Sequence, residues 1–235
     1  MYTLIIPSAK LDQLEPCIES VRKYTDFTKV RLLIIANGAS RECKEYLEKE
    51  QPLEHIWFDK MIGFPKAINA GIKVAGNDDI IILNDDTILL PQIINTWITM
   101  LENLFKTDPK IGIVGPLSLY EYWVKQYYIQ FFCAIIKHEV IEKIGLLDET
   151  FGWGNSEDLD YCIRAKINGY KIASIPVSFN LATTMKLADY PIFHMAHKTV
   201  DGIADFNSNA EKNIKIIQDR YKHLPPEQFE KETFI

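Results

Sequence analysis

The sequence predicts a single α/β domain in which helices flank a mostly parallel sheet. Six or seven short apolar runs have the character of strands, and amphipathic segments lie between several of them. This alternation is typical of a parallel sheet covered on both faces. The 235 residues are 47% hydrophobic and 25% charged, which is ordinary for a folded domain, and they contain no repeat or linker. We therefore expect one domain over residues 1–235.

The strands are expected where the apolar runs occur. These runs are residues 3–7, 31–37, 55–59, 80–84, 112–117, 130–136 and 171–176. In such sheets, ligands bind beyond the carboxyl ends of the strands. Side chains that follow the run 80–84 are therefore candidates for a binding site.

Helices are expected over 11–25, 65–76, 91–105 and 155–169, followed by a charged helix in a tail that wraps the outside. Pro65 and Gly76 bracket the second helix, as proline in a first turn and glycine past the end often do. The third is expected to start at Pro91, and the fourth to be capped by Asn155 or Ser156. Their expected apolar faces are Ile94, Trp97, Ile98, Leu101, Leu104 and Phe105 for the third, and Leu159, Cys162, Ile163 and Ile167 for the fourth.

Composition argues against several classes of partner. The net charge of −6 opposes binding to a nucleic-acid backbone, and neither a secretory signal nor an apolar run of about 20 residues occurs. The cysteines Cys17, Cys43, Cys133 and Cys162 are scattered, which predicts buried thiols in a reducing, cytoplasmic setting. The aromatic run 120–132 favours packing in the protein. Peripheral contact with the inner membrane face or a hydrophobic acceptor is the alternative.

A first acidic cluster, Asn84-Asp85-Asp86-Thr87, follows the most apolar strand. Hard cations such as Mg²⁺ or Mn²⁺ bind through one or two carboxylates together with substrate phosphates. A solvated turn also favours Asp and Asn. From these residues alone, both interpretations stand.

A second acidic cluster opens the fourth helix. Glu157, Asp158 and Asp160 fall in its first turn, directly after the turn Gly152-Trp153-Gly154. The helix dipole stabilises acids at this position, so capping alone is one interpretation. The same dipole keeps a carboxylate ionised, as a general base requires.

A histidine pair, His194 and His197, occurs late in the chain with a spacing that allows both to share a helix face. No third ligand lies nearby, so a structural or surface role is the simpler interpretation. The pair becomes a metal-ligand candidate if the fold brings it to Asp86.

The order of these motifs resembles the family 2 glycosyltransferases, inverting enzymes with the nucleotide-sugar-binding GT-A fold. TLIIPSA is similar to their first strand, and GFPKAINAGIKVAGNDDIIILNDDTIL to the run that ends in the acidic "DxD" site. CAIIKHEVIEKIGLLDETFGWGNSEDLDYCIRAKINGYKIASIP is similar to the acceptor-side signature, and His194 with Thr199 to a late metal-binding histidine. The resemblance extends over nearly the whole chain.

The resemblance implies a divalent cation, Mn²⁺ or Mg²⁺, with Asp86 as its main ligand. Asp85 or Asn84 would assist at the nucleotide ribose or the metal. His194 would complete the metal and diphosphate site, with His197 as the fallback ligand.

It also implies that Asp158 is the catalytic base and that Glu157 positions the acceptor or supports the loop. The donor would be a UDP-, GDP- or dTDP-sugar, and the acceptor a glycan, a lipid-linked sugar or a protein. Residues 1–117 would form the nucleotide-sugar half, 118–206 the acceptor and catalytic half, and 207–235 a C-terminal helix and tail. The implied substrate-binding residues are Pro7, Ser8, Ala9, Asn37, Gly63, Lys66, Asn69, Asn84, Asp85, Trp153 and Gly154.

The chain departs from the family pattern in two places. Ala36 stands where the second strand usually carries an Asp that binds the nucleotide base, which leaves the base open and makes Asn37 or a backbone group the substitute. The stretch between Pro176 and His194 is longer than usual, which predicts a mobile loop that closes over substrate.

Two other functions remain as alternatives. A degenerate protein that binds a sugar nucleotide without turnover is consistent with Ala36. A sugar nucleotidyltransferase would need a glycine-rich loop after the first strand, where this chain has PSAKLDQLEP. A dinucleotide-dependent oxidoreductase is excluded because GxGxxG is absent.

Overall fold

A seven-stranded sheet forms the centre of the protein. The computed structural model describes residues 1–49, 53–175, 190–195, 203 and 205–227. Its strands are β1 (Tyr2–Ser8), β2 (Val30–Asn37), β3 (Glu54–Phe58), β4 (Asp79–Leu83), β5 (Thr87–Leu89), β6 (Ile111–Gly115), β7 (Ser118–Glu121), β8 (Gln126–Ile129), β9 (Cys133–Ile136), β10 (Lys171–Ser174) and β11 (Ile192–His194). The order in the main sheet is β10-β6-β9-β4-β1-β2-β3.

The main sheet is parallel except at β9. β1 pairs in parallel with β2 and β4, and β9 lies antiparallel between β4 and β6. The carboxyl ends of β1, β2 and β4 therefore meet at one edge, where ligands bind in sheets of this kind. The seven predicted apolar runs all form strands of this sheet, which confirms the predicted fold class.

Helices cover both faces of the sheet. They are α1 (Leu11–Tyr24), α2 (Arg41–Lys49), α3 (Phe64–Ala75), α4 (Thr96–Phe105), α5 (His138–Ile144), α6 (Glu157–Ile167) and α7 (Phe206–Tyr221), with a short 3₁₀ turn over Glu149–Phe151. One apolar core lies on the side of α1 and α4, where Leu4, Ile6 and Trp97 are fully buried. The other lies on the side of α3, α5 and α6. Residues that alternate along β1 thus enter opposite cores, as the period of two in a strand requires.

Helix α3 begins and ends as expected, whereas the prediction for α4 is wrong at its start. Pro65 lies in the first turn of α3, and Gly76 follows its end with a φ of 64°. Helix α4 begins at Thr96 and not at Pro91, because Asn95 adopts a left-handed conformation and its side chain accepts a hydrogen bond from the backbone N–H of Asp26. Ile94 is consequently outside the helix and 59% exposed.

Two short antiparallel pairs lie beside the main sheet, and neither was predicted from the sequence. β5 pairs with β11, and β7 pairs with β8. With only three or four residues each, these strands lack a sustained period of two. The first pair matters most, because β5 begins directly after Asp86.

Helix α7 packs into the protein and does not merely wrap around its outside. Asn213, Ile217 and Tyr221 of α7 are buried. Ile217 and Tyr221 share an apolar cluster with residues of α6, including Leu159 and Ile163. On α6 itself, Ile167 is 58% exposed, so its predicted burial is wrong.

The four cysteines are buried free thiols, as predicted. Across the described ranges, none of the helices has the length and apolar character that crossing a membrane requires.

Candidate active site

The first acidic cluster lies at the carboxyl end of β4. Asp85 and Asp86 are each 2% exposed, although burial of a charged carboxylate costs free energy. The backbone N–H of Asn84 donates to the carbonyl of Phe132, and the carbonyl of Asp86 accepts from the N–H of Met195. These bonds hold the acidic segment between two other parts of the chain.

The β5–β11 pair brings His194 to Asp86. Thr87 lies opposite His194 in this ladder, and the imidazole Nε2 is 3.1 Å from Asp86 Oδ1. The imidazole also stacks on the ring of Phe132, with centroids 4.2 Å apart and planes inclined by 8°. The condition under which the histidine becomes a metal-ligand candidate is thus met for His194.

Asp86 and His194 suit a divalent cation. Both Asp86 Oδ1 and His194 Nε2 are buried and, among the described residues, neither has a hydrogen-bond partner, so their approach lacks the angles of a hydrogen bond. Adjacent ligands of an octahedral ion with bonds of about 2.1 Å lie about 3 Å apart, close to the observed separation. Carboxylate oxygen and imidazole nitrogen are donors that such ions accept.

The protein supplies only part of a coordination shell in the described ranges. Within them, no group of three or more His, Cys, Asp and Glu side chains is arranged to hold a metal. A cation here would need further oxygen atoms, which substrate phosphates and water commonly provide. His197, the fallback ligand, lies outside the described residues, as do Thr199 and the long stretch that begins at Pro176.

The negative charges of Asp85 and Asp86 also act on a buried thiol, that of Cys17. Burial raises the pKa of the Cys17 thiol, and the charges of Asp85 and Asp86 raise it further. This thiol lies 3.7 Å from the carbonyl oxygen of Asn84. It stays neutral and so adds no negative charge beneath the acidic segment.

The second acidic cluster follows an unusual turn. Asn155 and Ser156 both have positive φ, 75° and 74°, although neither is glycine. The Ser156 hydroxyl donates to Asn155 Oδ1, so neither predicted capping residue caps α6 with its side chain. Glu157 and Asp158 then occupy the first turn of the helix.

Glu157 and Asp158 share a buried environment that disfavours ionisation. Burial raises the pKa of Glu157, and the adjacent charge of Asp158 raises it further. Burial also raises the pKa of Asp158, to about 6, while N–H groups of Leu159 and Phe131 act in the opposite direction. Asp158 is half-buried and accepts the Leu159 N–H at 2.8 Å. At neutral pH this arrangement favours a protonated Glu157 beside an ionised Asp158.

Asp160, the third acid of this turn, is a structural residue. It is fully buried, and its carboxylate accepts hydrogen bonds from Arg164, Arg220 and Tyr221 at 2.8, 3.0 and 2.7 Å. It therefore joins α6 to α7. Neither capping nor base catalysis is needed to explain Asp160, because this internal ion-pair network accounts for it.

Residues 131 and 132 connect the two acidic clusters. The backbone N–H of Phe131 lies close enough to the carboxylate of Asp158 to lower its pKa. The ring of Phe132 stacks on His194, and its carbonyl accepts from the N–H of Asn84. Adjacent Cα atoms are about 3.8 Å apart, so both clusters contact the same short segment. The fold thus brings together acids that lie far apart in the sequence.

The start of α3 packs against the turn before α6. A Cβ on Gly63 would lie 2.0 Å from the carbonyl oxygen of Gly152, and the N–H of Phe64 donates to the carbonyl of Trp153. Gly154 is buried beside Phe64. Gly63, Trp153 and Gly154, all expected at the substrate site, therefore meet one another.

The remaining expected substrate-binding residues differ in availability. Pro7 and Ser8 are buried at the end of β1, with Ala9 half-buried after them, and Lys66 is exposed on the first turn of α3. Asn69 is buried, and its amide bonds both the N–H and the carbonyl of Leu147 as well as Glu149. This side chain is thus occupied within the protein.

The end of β2 is apolar where an acid was expected to bind the nucleotide base. Ala36 is 1% exposed and lies opposite Trp57 of β3. Asn37 Oδ1, the proposed substitute, accepts the N–H of Ile62 at 2.7 Å. Its oxygen therefore already holds the loop that precedes α3.

Three further residues belong to the site and were not assigned from the sequence. Thr87 is fully buried beside His194, with no hydrogen-bond partner for its hydroxyl in the described parts of the chain. Phe132 supports the imidazole. Burial raises the pKa of the Tyr128 hydroxyl, and the nearby charge of Asp158 raises it further. Thr87 was visible as the residue after Asp86, but nothing local marks Phe132 or Tyr128.

Solved structures similar to this chain contain nucleotide sugars or their parts. The mannosyltransferase PcManGT from Pyrobaculum calidifontis, in complex with GDP-Man and Mn²⁺, matches with a TM-score of 0.58 and 17% identity over 74% of this chain and 54% of that one. GalNAc-T7 with UDP, GalNAc and Mn²⁺ matches with a TM-score of 0.61 and 13% identity, over 73% of this chain and 41% of that one. S. aureus TarS residues 1-349 in complex with UDP-GlcNAc matches with a TM-score of 0.56 and 12% identity, over 73% of this chain and 54% of that one. The chain thus spans about half of these proteins or less.

At these identities, the similarity shows the GT-A fold alone. No curated protein matches the chain. The family model described as Glycosyl transferase family 2 matches residues 3–145, which is more than half of the sequence and includes the acidic cluster after β4. The chain therefore belongs to glycosyltransferase family 2 and has the GT-A fold.

Proposed function

We propose that this chain is a metal-dependent, inverting glycosyltransferase, which moves a sugar from a nucleoside diphosphate to an acceptor hydroxyl. The observation that carries the proposal is the contact of both acidic clusters with Phe131 and Phe132. This contact supports a cation site next to a general base. An inverting transfer needs both, since one side must accept a leaving diphosphate and the other a proton.

On the donor side, Asp86 and His194 would hold Mn²⁺ or Mg²⁺. When bound, the ion would neutralise the charge that develops on the diphosphate leaving group, an effect of several kcal/mol in comparable sites. Asn84 and Asp85 belong to the same strand end and are proposed to bind the nucleotide ribose or assist at the ion. The closely packed ends of β1 and β2 would bound the nucleotide pocket.

On the acceptor side, Asp158 acts as general base. Its carboxylate takes the proton from the acceptor hydroxyl while that oxygen bonds to the anomeric carbon from the face opposite the diphosphate. The bond from the anomeric carbon to the diphosphate oxygen breaks, so the configuration inverts. A pKa of about 6 lets Asp158 be ionised at neutral pH and still bind the proton better than an ordinary aspartate does.

Glu157 is proposed to hold the loop or the acceptor in its neutral form. Its raised pKa means that a proton is retained when Asp158 is charged, so the two carboxyls do not repel each other. Within the described residues, its Oε2 has no hydrogen-bond partner although the side chain is only 7% exposed. A protonated carboxyl can donate a hydrogen bond to a substrate oxygen.

The donor base and the acceptor are the finer parts of the proposal. The similar structures contain GDP-Man, UDP with GalNAc, and UDP-GlcNAc, which makes these sugar nucleotides the first probes. dTDP-sugars complete the donor panel, and a glycan, a lipid-linked sugar or a protein is the proposed acceptor. We also propose that residues 1–117 bind mainly the donor and 118–206 mainly the acceptor, with His194 as an exception that serves the donor side.

Donor hydrolysis tests the proposal without a known acceptor. Purified protein is incubated with GDP-mannose, UDP-GalNAc, UDP-GlcNAc and a dTDP-sugar in Mn²⁺, and release of the nucleoside diphosphate is measured with and without EDTA. Slow release from at least one donor, abolished by EDTA, is expected. Binding of a donor without any release would instead support the degenerate, non-catalytic alternative, for which Ala36 is the only argument.

A further inference from the structure

Two asparagines of α7 hold the turn that precedes the proposed base. Asn213 Nδ2 lies 2.8, 2.9 and 2.9 Å from the carbonyl oxygens of Phe151, Gly154 and Asn155. Asn209 Nδ2 adds bonds of 3.0 Å to the first two of these oxygens. Because only an amide NH₂ can donate to carbonyls, both side chains must point their nitrogens at the turn.

The turn cannot maintain this conformation by itself. Its two consecutive non-glycine residues with positive φ, Asn155 and Ser156, each carry a conformational cost. Such residues persist where the surroundings fix them, and local capping of α6 by a side chain is missing here. Gly152 also permits the arrangement, since a Cβ there would lie 2.5 Å from Asn209 Oδ1.

Helix α7 is itself anchored, so the asparagines have a defined position. Arg220 forms ion pairs with Asp148 at 2.7 Å and with Asp160 at 3.0 Å. Tyr221 donates to Asp160 at 2.7 Å, and the guanidinium of Arg220 lies over the ring of Phe151. These contacts bracket the turn on both sides, at residues 148–151 and at residue 160. The side chain of Asn213 is fully buried where α7 packs against the turn.

We propose that Asn213, assisted by Asn209, is a positioning residue that sets the place of the Asp158 carboxylate. It acts through the backbone of residues 151–155 and contacts neither substrate nor metal. The inference rests on the proposed role of Asp158 as base. Catalysis then depends on α7, a helix that lies outside the region matched by the family model, residues 3–145.

The test compares Asn213→Ala with a matched control, Asn168→Ala. The side chain of Asn168 likewise donates to a backbone carbonyl, that of Arg164 at 2.9 Å. This contact lies at the far end of α6, away from the turn. Donor hydrolysis, with whichever probe sugar nucleotide the wild type cleaves, gives kcat and its pH profile. Titration calorimetry of the same nucleotide in Mn²⁺ gives the donor dissociation constant, and hydrogen exchange reports on residues 151–160.

Asn213→Ala is expected to lower kcat by about 100-fold, as displacement of a catalytic group by about 1 Å does. The donor dissociation constant should stay within twofold of the wild-type value. Opening of the turn lets water reach Asp158, so the acid limb of kcat should move to lower pH, and exchange at 151–160 should rise. Asn168→Ala should change none of these quantities.

A merely structural role would give a different pattern. If Asn213→Ala lowers the melting temperature but leaves kcat, its pH profile and local exchange unchanged, the inference is wrong. Should that variant fail to fold, Asn209→Ala, which removes two bonds from a half-buried residue, decides in the same way with a smaller loss of kcat. Failure of the proposed function is distinguishable, because it would appear as absence of donor cleavage in the wild type.

Discussion

The two acidic clusters of this chain are built by different means. Asp85 and Asp86 end a central strand, and hydrogen bonds of the backbone to residues 132 and 195 fix their segment. Glu157 and Asp158 follow a turn whose shape depends on side chains of a helix some fifty residues later. The sheet therefore positions the proposed metal ligand, whereas long-range polar contacts position the proposed base.

This difference predicts that the two regions fail in different ways. Removal of a ligand at the strand end should weaken donor binding and leave the base in place. Damage at the turn should leave the donor bound and slow the chemistry. The largest loss of activity is expected from a change at Asp158, and the smallest effect from a change at Glu157.

Asp158→Asn should give the largest loss of activity. The amide keeps the size of the side chain and can accept the N–H of Leu159, but it cannot take a proton. We expect kcat for transfer or donor hydrolysis to fall by roughly 10²–10⁴-fold, the usual contribution of a general base. Metal-dependent donor binding, measured by calorimetry, should be nearly unchanged.

Asp108→Asn is the control for that change, because Asp108 pairs with Lys171 at 2.7 Å before β6 begins, at the edge of the sheet opposite the proposed site. It should lower stability slightly and leave kcat intact. Equal losses of kcat in both variants, or loss of donor binding in Asp158→Asn with the fold retained, would show that Asp158 has another role.

Asp86→Ala should weaken donor binding through loss of the cation. Removal of a direct ligand should cost at least the roughly 10–100-fold that loss of an outer-shell partner costs in metal affinity. Calorimetry with nucleoside diphosphate and Mn²⁺ measures the effect, and Asp85→Asn provides the comparison at the neighbouring position. The metal assignment fails if the wild type and Asp86→Ala bind the nucleotide equally well with and without EDTA.

The pH profile should reflect the raised pKa of Asp158. The base works only when ionised, and burial raises its pKa to about 6, so kcat should fall as the pH drops through that value. The loss should approach tenfold per pH unit below it. An acid limb near pH 4, the ordinary aspartate range, would mean that the reacting carboxylate is not buried as Asp158 is.

Glu157→Gln should have the smallest effect, on stability. Burial and the charge of Asp158 raise the pKa of Glu157 from 4.5 to about 8 in the folded protein. The unfolded chain therefore loses its proton first, and the stability present below pH 4.5 is lost as the pH rises through about 8. Glutamine stays neutral, so the variant should melt above the wild type at pH 9, with a gap of about 2–4 °C per kcal/mol gained. An identical difference at pH 5 and pH 9 would contradict the assignment.

Much of the fold could be predicted because its determinants are local. Continuous apolar runs mark the strands of the main sheet, and Pro65 and Gly76 mark both ends of α3. The antiparallel direction of β9 could not be read from its sequence, since a buried strand is apolar in either direction. The start of α4 was missed because the conformation of Asn95 depends on contacts with Tyr24 and Asp26.

The candidate site divides along the same line. Asp86 and Asp158 were identifiable from their motifs, and the expectation about His194 needed only β11 to be paired with β5. Asn209 and Asn213 carry no local signal, because asparagine on a charged helix resembles any solvated residue. The role of Asp160 was likewise hidden, since Arg220 and Tyr221 are distant in sequence.

The most direct test of the proposed reaction is the anomer that the enzyme releases first. Proton NMR follows donor hydrolysis in Mn²⁺, with an α-linked sugar nucleotide, at times shorter than mutarotation. Attack by water activated at Asp158, from the face opposite the diphosphate, predicts that the β-anomer appears first. Initial release of the α-anomer would contradict the inverting mechanism and the role assigned to Asp158.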